Sequence, residues 1–271
     1  MQTRYIGDVG DFGKYGLLRA LIGEFPAESA KLLLGVVWYL VSKHEANNDG
    51  KHDSYLNLKD TTAQKRFASS FRECDTKLYD ALRGLRLHQK FQMADIHDSN
   101  LFPKDTKFYD AALSYIDLPW KGPATADRRI QHRTAWFEGA LKATQGCEVV
   151  FVDPDNGLES GVQNHELAAP KYAYFDELKQ LARRGQSLVI YHHFNRQREQ
   201  THNKQLRDRL KELITQLQPR HQTLALRYHR GSGRVFFVVP CCASHENIFA
   251  NRVKAFLSGA WGKNDHFTLS G

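Results

Sequence analysis

Four polar or backbone-restricting residues follow an apolar run near the middle of the chain. Residues 147–152 predict a strand buried on both faces, and Asp153, Pro154, Asp155 and Asn156 come directly after it. Ligands of open parallel sheets bind beyond the carboxyl ends of the strands, so two carboxylates at this point are candidate catalytic groups. Proline fixes φ and the glycine that follows permits a tight turn, which would hold these side chains stiffly. The structural alternative is a helix cap at Asp153 followed by an ordinary turn.

A second polar group follows the next apolar run. It comprises Tyr191, His192, His193, Asn195 and Arg196. Successive strand residues point to opposite faces, so at most one of the two histidines is expected to face the acids. Histidine acts as a general base or metal ligand near neutral pH, and Asp153, Asp155 and His192 would form a divalent-metal set. A buried histidine bonded to backbone is the structural alternative.

The amino-terminal stretch Gly-Asp-Phe-Gly-Lys-Tyr-Gly contains a third candidate group. Its members are Gly10, Asp11, Gly13 and Lys14. Glycine lets the backbone approach a ligand, and a lysine near the positive end of a helix favours a carboxylate or a phosphate. The alternative is a glycine-rich helix cap with a solvated lysine.

These groups need a scaffold in which strands and helices alternate. The apolar run 31–41 predicts a strand, 128–146 a helix, 148–153 a strand, 171–185 a helix and 186–194 a strand. This order implies parallel pairing with right-handed crossovers. A long charged helix at 198–218 follows, and 223–240 predicts a hairpin around a glycine-rich turn.

Residues 57–127 have an irregular pattern. Helical pieces are expected at 64–73 and 75–87, and a short strand at 91–97. We expect one domain spanning residues 1–271, with this irregular stretch as an insertion.

Composition indicates a folded chain with a polyanionic partner. The 271 residues are 41% hydrophobic and 25% charged, which is ordinary for a globular protein. A net charge of +8 favours nucleic acid, DNA or RNA, because clustered Lys and Arg release counterions from phosphates. Arg133, on the helix that enters the acidic strand, is a candidate phosphate contact. Interleaved acids also allow an ordinary solvated surface.

Compartment and cysteine usage follow from the same sequence. No apolar run has membrane-spanning length and the first residues lack a secretory signal's apolar core, so we expect no membrane contact and a cytoplasmic location. The four cysteines lack the paired spacing of a zinc site and are expected to be reduced core thiols, with Cys241 and Cys242 at the end of a strand.

Two of these motifs resemble a known family. Asp-Pro at the end of a buried strand resembles the Asp-Pro-Pro-Tyr motif of amino-group methyltransferases that use S-adenosylmethionine, a family with a Rossmann-like sheet. The resemblance implies that Asp153 and the carbonyl of Pro154 accept hydrogen bonds from an exocyclic amine. Asp155 and Asn156 replace the second proline and the aromatic residue, so stacking would fall to Tyr191, His192 or Phe194 of the neighbouring strand.

The amino-terminal segment is similar to the glycine-lysine segment that precedes the first strand of DNA adenine methyltransferases. The resemblance implies that Lys14 lies near the methionine carboxylate of the cofactor. The family's glycine-rich loop would correspond to Asn48, Asp49 and Gly50, although no GxGxxG pattern is present.

The sequence therefore predicts an α/β fold, a Rossmann-like three-layer sandwich with a mostly parallel sheet that ends in an antiparallel hairpin. The leading function is methyl transfer to a nucleobase amine in nucleic acid, with no metal required. The first alternative is a nuclease or phosphodiesterase using Mg or Mn at Asp153, Asp155 and His192 or His193. The second is a non-catalytic nucleic-acid or partner-binding module. The sequence leaves the oligomeric state open.

Overall fold

The computed structural model describes residues 6–28, 30–41, 52–56, 62–87, 92–118, 122, 124–195 and 201–270. Within these ranges the chain is α/β, as the sequence predicts. The helices are α1 Val9–Leu21, α2 Thr62–Arg72, α3 Thr76–Leu87, α4 Met93–Asp98, α5 Thr125–Ala143, α6 Phe175–Arg183, α7 His202–Leu217, α8 Ala243–Ser258 and α9 Ala260–Lys263. The strands are β1 Leu34–Trp38, β2 Lys107–Tyr109, β3 Val149–Asp153, β4 Gly157–Leu158, β5 Tyr172–Ala173, β6 Ser187–His193, β7 Leu224–Tyr228, β8 Arg234–Val239 and β9 Phe267–Leu269.

Seven of these strands form one mixed sheet in the order β2-β1-β3-β6-β8-β7-β9. The first four pair in parallel, and each later pairing is antiparallel. The expected hairpin is therefore confirmed as β7 and β8, and β8 is the member that lies against the parallel part of the sheet. Parallel β4 and β5 form a separate pair.

Alternation along the strands sends side chains into two hydrophobic clusters. Val149 and Phe151 of β3 pack in the first cluster with apolar residues of α1 and α8. Val150 and Val152 pack in the second cluster with apolar residues of α5, α6 and α7. Successive strand residues point to opposite faces, so the parity of a residue, its odd or even position along the strand, decides which cluster its side chain joins. Parity also decides the face to which the polar side chains at the strand ends point.

Helix α1 lies close to the carboxy-terminal elements because three glycines line one side of it. Gly10, Gly13 and Gly16 recur at a spacing of three, which places them on one helix face. A Cβ on Gly13 would sit 2.5 Å from the ring of Tyr228, and a Cβ on Gly16 would overlap Trp261. The glycines thus fix the distance between α1 and the antiparallel end of the sheet.

The stretch 57–127 contributes to the main sheet through β2, which pairs with β1. Its two expected helices are confirmed as α2 and α3. The expected strand at 91–97 is wrong, since Met93–Asp98 forms α4. Met93 and Ile96 are its buried residues, and their spacing of three is helical.

Candidate active site

The carboxyl ends of β1, β3 and β6 meet helix α1 at one place in the fold. Asp153 is the last residue of β3 and pairs in register with Trp38, the last residue of β1. Parity directs Asp153 to the same face as Val149 and Phe151, the face that α1 covers. The acid is 1% exposed.

Lys14 of α1 forms a buried ion pair with Asp153 across 139 positions of sequence. The Lys14 Nζ donates a hydrogen bond to Asp153 Oδ2 at 2.9 Å, and the same nitrogen lies 3.3 Å from Asp11 Oδ1. All three side chains are almost fully buried. The pair therefore holds Asp153 through one carboxylate oxygen, Oδ2.

The charges of this group are strongly coupled. Burial opposes the charged form of Lys14, but Asp153 and Asp11 outweigh it and raise the pKa of the ammonium. Burial raises the pKa of Asp11 to about 7, although Lys14 acts in the opposite direction. Lys14 is therefore protonated at neutral pH, whereas Asp11 is close to its midpoint. Net charge within the group is consequently sensitive to small changes of pH.

Stability should fall with rising pH because of Asp11. Its pKa is about 7 in the folded protein, against an ordinary value of 3.8 for an aspartate. The native state therefore holds the extra proton between about pH 4 and 7, and stability decreases as pH rises through that window, by at most about 1.4 kcal/mol per unit. The check is urea unfolding of wild type and Asp11→Asn at matched pH values.

The quantity to compare is the difference in unfolding free energy between wild type and Asp11→Asn at each pH. Buried histidines are present in both proteins and change stability with pH in the opposite direction. Burial lowers the pKa of His192 to about 3 and that of His266 to about 4, so each adds stability as pH rises toward 6.5. Parallel pH profiles for wild type and Asp11→Asn would contradict the assignment of the raised pKa to Asp11.

Tyr191 and Arg234 complete the surroundings of Lys14. The Lys14 Nζ lies 5.2 Å from the centre of the Tyr191 ring, a cation–π distance. Arg234 Nε donates to the Tyr191 hydroxyl at 3.3 Å. Burial raises the pKa of Tyr191, so its hydroxyl stays protonated at neutral pH. Tyr191 was predicted as a site residue, whereas Arg234 was not. The position of Arg234 directly after the glycine-rich hairpin turn is the signal that could have identified it.

Two further residues were missed by the sequence analysis. Asp8 caps α1 by accepting a hydrogen bond from the Asp11 backbone N–H at 3.0 Å. Burial, with the neighbouring acids Asp11 and Asp153, raises the pKa of Tyr15 well above its usual range. An acid two residues before the first glycine of a predicted helix is a capping signal that could have identified Asp8.

The glycines of α1 pack closely against other side chains, and the cofactor contact of Gly10 and Gly13 stays a prediction. A Cβ on Gly10 would lie 2.7 Å from Arg234 Nη2, and Gly13 faces Tyr228. The side chains of Arg234 and Tyr228 therefore occupy the space beside Gly10 and Gly13 that a larger residue would need.

His192 lies on the opposite face of the sheet from Asp153, which corrects its predicted catalytic role beside that acid. Its ring contacts Phe237, a member of the second cluster, and its Nδ1 accepts a hydrogen bond from the Leu158 N–H at 3.1 Å. The proton of the neutral ring is therefore on Nε2. By strand parity His193, not His192, shares a face with Tyr191.

The ring of His192 lines a polar cavity of about 420 Å³. The other lining residues are Ser160, Asn195, Gln205, Asp208, Arg209 and Glu212. Asn195 lies here because its backbone exchanges two hydrogen bonds with the Gln205 side chain. The predicted substrate-binding residue Asn195 is thus separated by the sheet from Asp153.

The predicted Mg or Mn set is not brought together. Within the described ranges, the His, Cys, Asp and Glu side chains close enough to share an ion are Cys241, Cys242 and His245, and not Asp153, Asp155 and His192. The half-buried turn after Asp153 is held by its backbone. Asn156 N–H donates to the Lys171 carbonyl, and Asn156 O accepts from the His193 N–H.

Arg133 is a buried structural residue, which corrects its prediction as a substrate contact. Its guanidinium donates to both carboxylate oxygens of Glu177 at 2.7 and 2.9 Å and to the carbonyls of Ala169 and Tyr172. The Tyr39 hydroxyl donates to the same Glu177 at 2.9 Å. Arg133 is 4% exposed, so its donors serve the fold.

Four predicted residues, Asn48, Asp49, Gly50 and Arg196, lie outside the described residues. None of the described helices combines the length and apolar character needed to cross a membrane.

A comparison with protein-family models finds no matching family, and a comparison with curated proteins finds no matching relative.

Proposed function

We propose that the protein is a methyltransferase that uses S-adenosylmethionine and acts on an exocyclic amine of a nucleobase in nucleic acid. The observation that carries the proposal is the buried contact between Lys14 and Asp153 at 2.9 Å. It joins the two chain segments that resemble the cofactor-binding and amine-binding motifs of amino-group methyltransferases. The finer architecture we propose is a Rossmann-like three-layer sandwich, supported by the two hydrophobic clusters on either side of the sheet.

The residues around Lys14 fit the polar part of this cofactor. Its methionine portion carries a carboxylate, an ammonium and a positively charged sulfur. Lys14 supplies a cation for the carboxylate, while Asp11 and the Tyr191 ring supply groups that attract positive charge. When bound, the cofactor would supply an electrophilic methyl group. Lys14 and Asp11 would hold it, with Tyr191 beside them.

Asp153 would hold and orient the substrate amine. Its Oδ2 accepts a hydrogen bond from Lys14, which fixes its rotamer, and Oδ1 would be the hydrogen-bond acceptor for the incoming amine. An amine that donates to Oδ1 and to the Pro154 carbonyl directs its lone pair away from both acceptors. Such alignment supplies much of the rate in a displacement that needs no strong base.

The positive charge of the chain supports nucleic acid as the substrate class. A net charge of +8 favours phosphates through counterion release. It also implies that binding weakens as salt rises, because neutralised phosphates recover their counterions.

Asp153→Ala is expected to reduce methyl transfer by about 100-fold or more, because the amine loses its positioning acceptor. The assay follows labelled methyl transfer from S-adenosylmethionine to single-stranded DNA, duplex DNA and RNA, with cofactor binding measured by calorimetry. Asp176→Ala, in which an 89% exposed carboxylate is removed, is the matched control and should match wild type.

The outcomes separate the candidate functions. Cofactor binding with transfer that depends on Asp153 supports the proposal. Nucleic-acid binding without cofactor binding would replace it with the non-catalytic module. Cleavage of nucleic acid that requires Mn would replace it with the metal-dependent alternative.

A further inference from the structure

Two adjacent cysteines and a histidine converge at the end of β8, remote from Asp153. The potential ligand atoms of Cys241, Cys242 and His245 all lie within 4.8 Å of one another. Cys241 Sγ and His245 Nδ1 are 3.5 Å apart. The cysteines are half-buried and His245 is buried, so the group is shielded yet reachable.

We propose that Cys241, Cys242 and His245 bind one zinc ion. Tetrahedral zinc holds sulfur at about 2.3 Å and nitrogen at about 2.0 to 2.1 Å, which sets a sulfur–nitrogen edge of about 3.6 Å. The observed separation of 3.5 Å between Cys241 Sγ and His245 Nδ1 matches that edge. Thiolates with an imidazole select zinc over Mg or Ca, which prefer oxygen ligands.

The surroundings of His245 direct its Nδ1 toward the sulfurs. Its other ring nitrogen, Nε2, lies 3.9 Å from Glu148 Oε1. Metal-ligating histidines commonly place a carboxylate beside the nitrogen that does not bind the metal, which fixes the tautomer and the ring orientation. Glu148 lies within ion-pair distance of that nitrogen, and we assign it as the positioning residue of the site.

Ser187 positions the first cysteine relative to the histidine. Its Oγ accepts a hydrogen bond from the Cys241 N–H at 2.9 Å and lies 2.8 Å from His245 Nδ1. When zinc binds Nδ1, the Ser187 hydroxyl gives up its contact with that nitrogen and keeps the backbone contact. Both thiols lose their protons to solvent as the two zinc–sulfur bonds form. The fourth tetrahedral position is left to a water molecule.

The zinc site is independent of methyl transfer. Ser187 begins β6, whereas Tyr191 and the neighbouring Asp153 lie toward the other end of their strands, about 13 to 20 Å away at the rise of a β-strand. Cys242 is the residue that caps α8, so zinc would tie the end of β8 to α8 and β6. Strand β8 ends at Val239, which corrects the prediction that the two cysteines belong to a strand.

The test uses the full chain without an affinity tag and titrates it with Co²⁺, which reports thiolate ligation through near-ultraviolet charge-transfer absorption. We expect one equivalent to bind and zinc to displace it. Cys241→Ser, Cys242→Ser and His245→Ala should each weaken binding at least tenfold. Cys74→Ser, which removes a buried thiol outside the cluster, is the matched control and should bind as wild type does.

Two further measurements keep the test decisive if a variant fails to fold. Glu148→Gln should weaken Co²⁺ binding by about 10- to 100-fold while the stoichiometry stays at one, as expected for a positioning residue. In wild type, zinc should protect Cys241 and Cys242 from a thiol reagent.

The proposal is overturned if cobalt gives no thiolate absorption, or if zinc leaves the reactivity of the thiols unchanged. It is equally overturned if mass spectrometry of the reduced and refolded chain finds Cys241 and Cys242 joined as a disulfide that zinc cannot prevent. Loss of methyl transfer in Asp153→Ala has no bearing on these outcomes.

Discussion

Lys14→Met is expected to lower the free energy of unfolding by about 3 to 5 kcal/mol. The substitution removes the cation that contacts Asp153 at 2.9 Å and Asp11 at 3.3 Å, and both carboxylates stay buried after losing it. Removing one partner of a buried ion pair costs much stability, because the remaining charge is desolvated and uncompensated. Replacing both partners with apolar residues costs far less. The check is denaturant unfolding at pH 8, where the acids are ionised in the unfolded chain.

An exposed pair gives the matched control. Lys31→Met removes a lysine that is about half exposed and pairs with Glu24, and it should cost less than about 1 kcal/mol. The double variant Lys14→Met/Asp153→Leu should recover part of the loss, since it removes a second buried charge. A cost for Lys14→Met no larger than that for Lys31→Met would contradict the buried pair.

The second large effect is expected on the other face of the sheet, where Arg133→Met should also cost about 3 to 5 kcal/mol. The guanidinium donates to both oxygens of Glu177 and to two backbone carbonyls, so its loss leaves a buried carboxylate and two carbonyls short of donors. Arg133→Lys keeps the charge but not the two-pronged geometry and should lose an intermediate amount. Thermal and denaturant unfolding measure both.

Arg128→Met is the control for this prediction because Arg128 is an exposed residue of the same helix, α5. It should change the free energy of unfolding by less than about 0.5 kcal/mol. A weaker affinity for nucleic acid in Arg133→Met with unchanged stability would restore the phosphate-binding interpretation and contradict the structural one.

The fold was predictable where a continuous apolar run is bounded by turns. Strands β3 and β6 and the β7–β8 hairpin satisfy this condition, since each buries both faces or closes on a glycine-rich turn. The short helix Met93–Asp98 was not predictable, because six residues are too few to distinguish helical from strand-like spacing of the apolar residues. The pairing of β2 with β1 depends on long-range contacts that periodicity does not encode.

The candidate site was predictable to the level of its segments but not of its contacts. Strand ends and helix starts identified Asp153, Tyr191 and Lys14 as candidates. The contact between Lys14 and Asp153 spans 139 positions and depends on how α1 packs. Alternation left open which histidine faces the acids, and the parity of β6 places His192 on the other side. Arg133 was misread because its partner Glu177 is 44 positions away.

One side of helix α1 packs against residues that are made much later in the chain. The Tyr228 hydroxyl donates to the Val9 carbonyl at 2.8 Å across 219 positions, Arg252 donates to the Leu21 carbonyl, and Gly16 receives the ring of Trp261. During synthesis, this side of α1 therefore stays uncovered until Tyr228, Arg252 and Trp261 have been made, so the helix that carries Lys14 gains its full packing late.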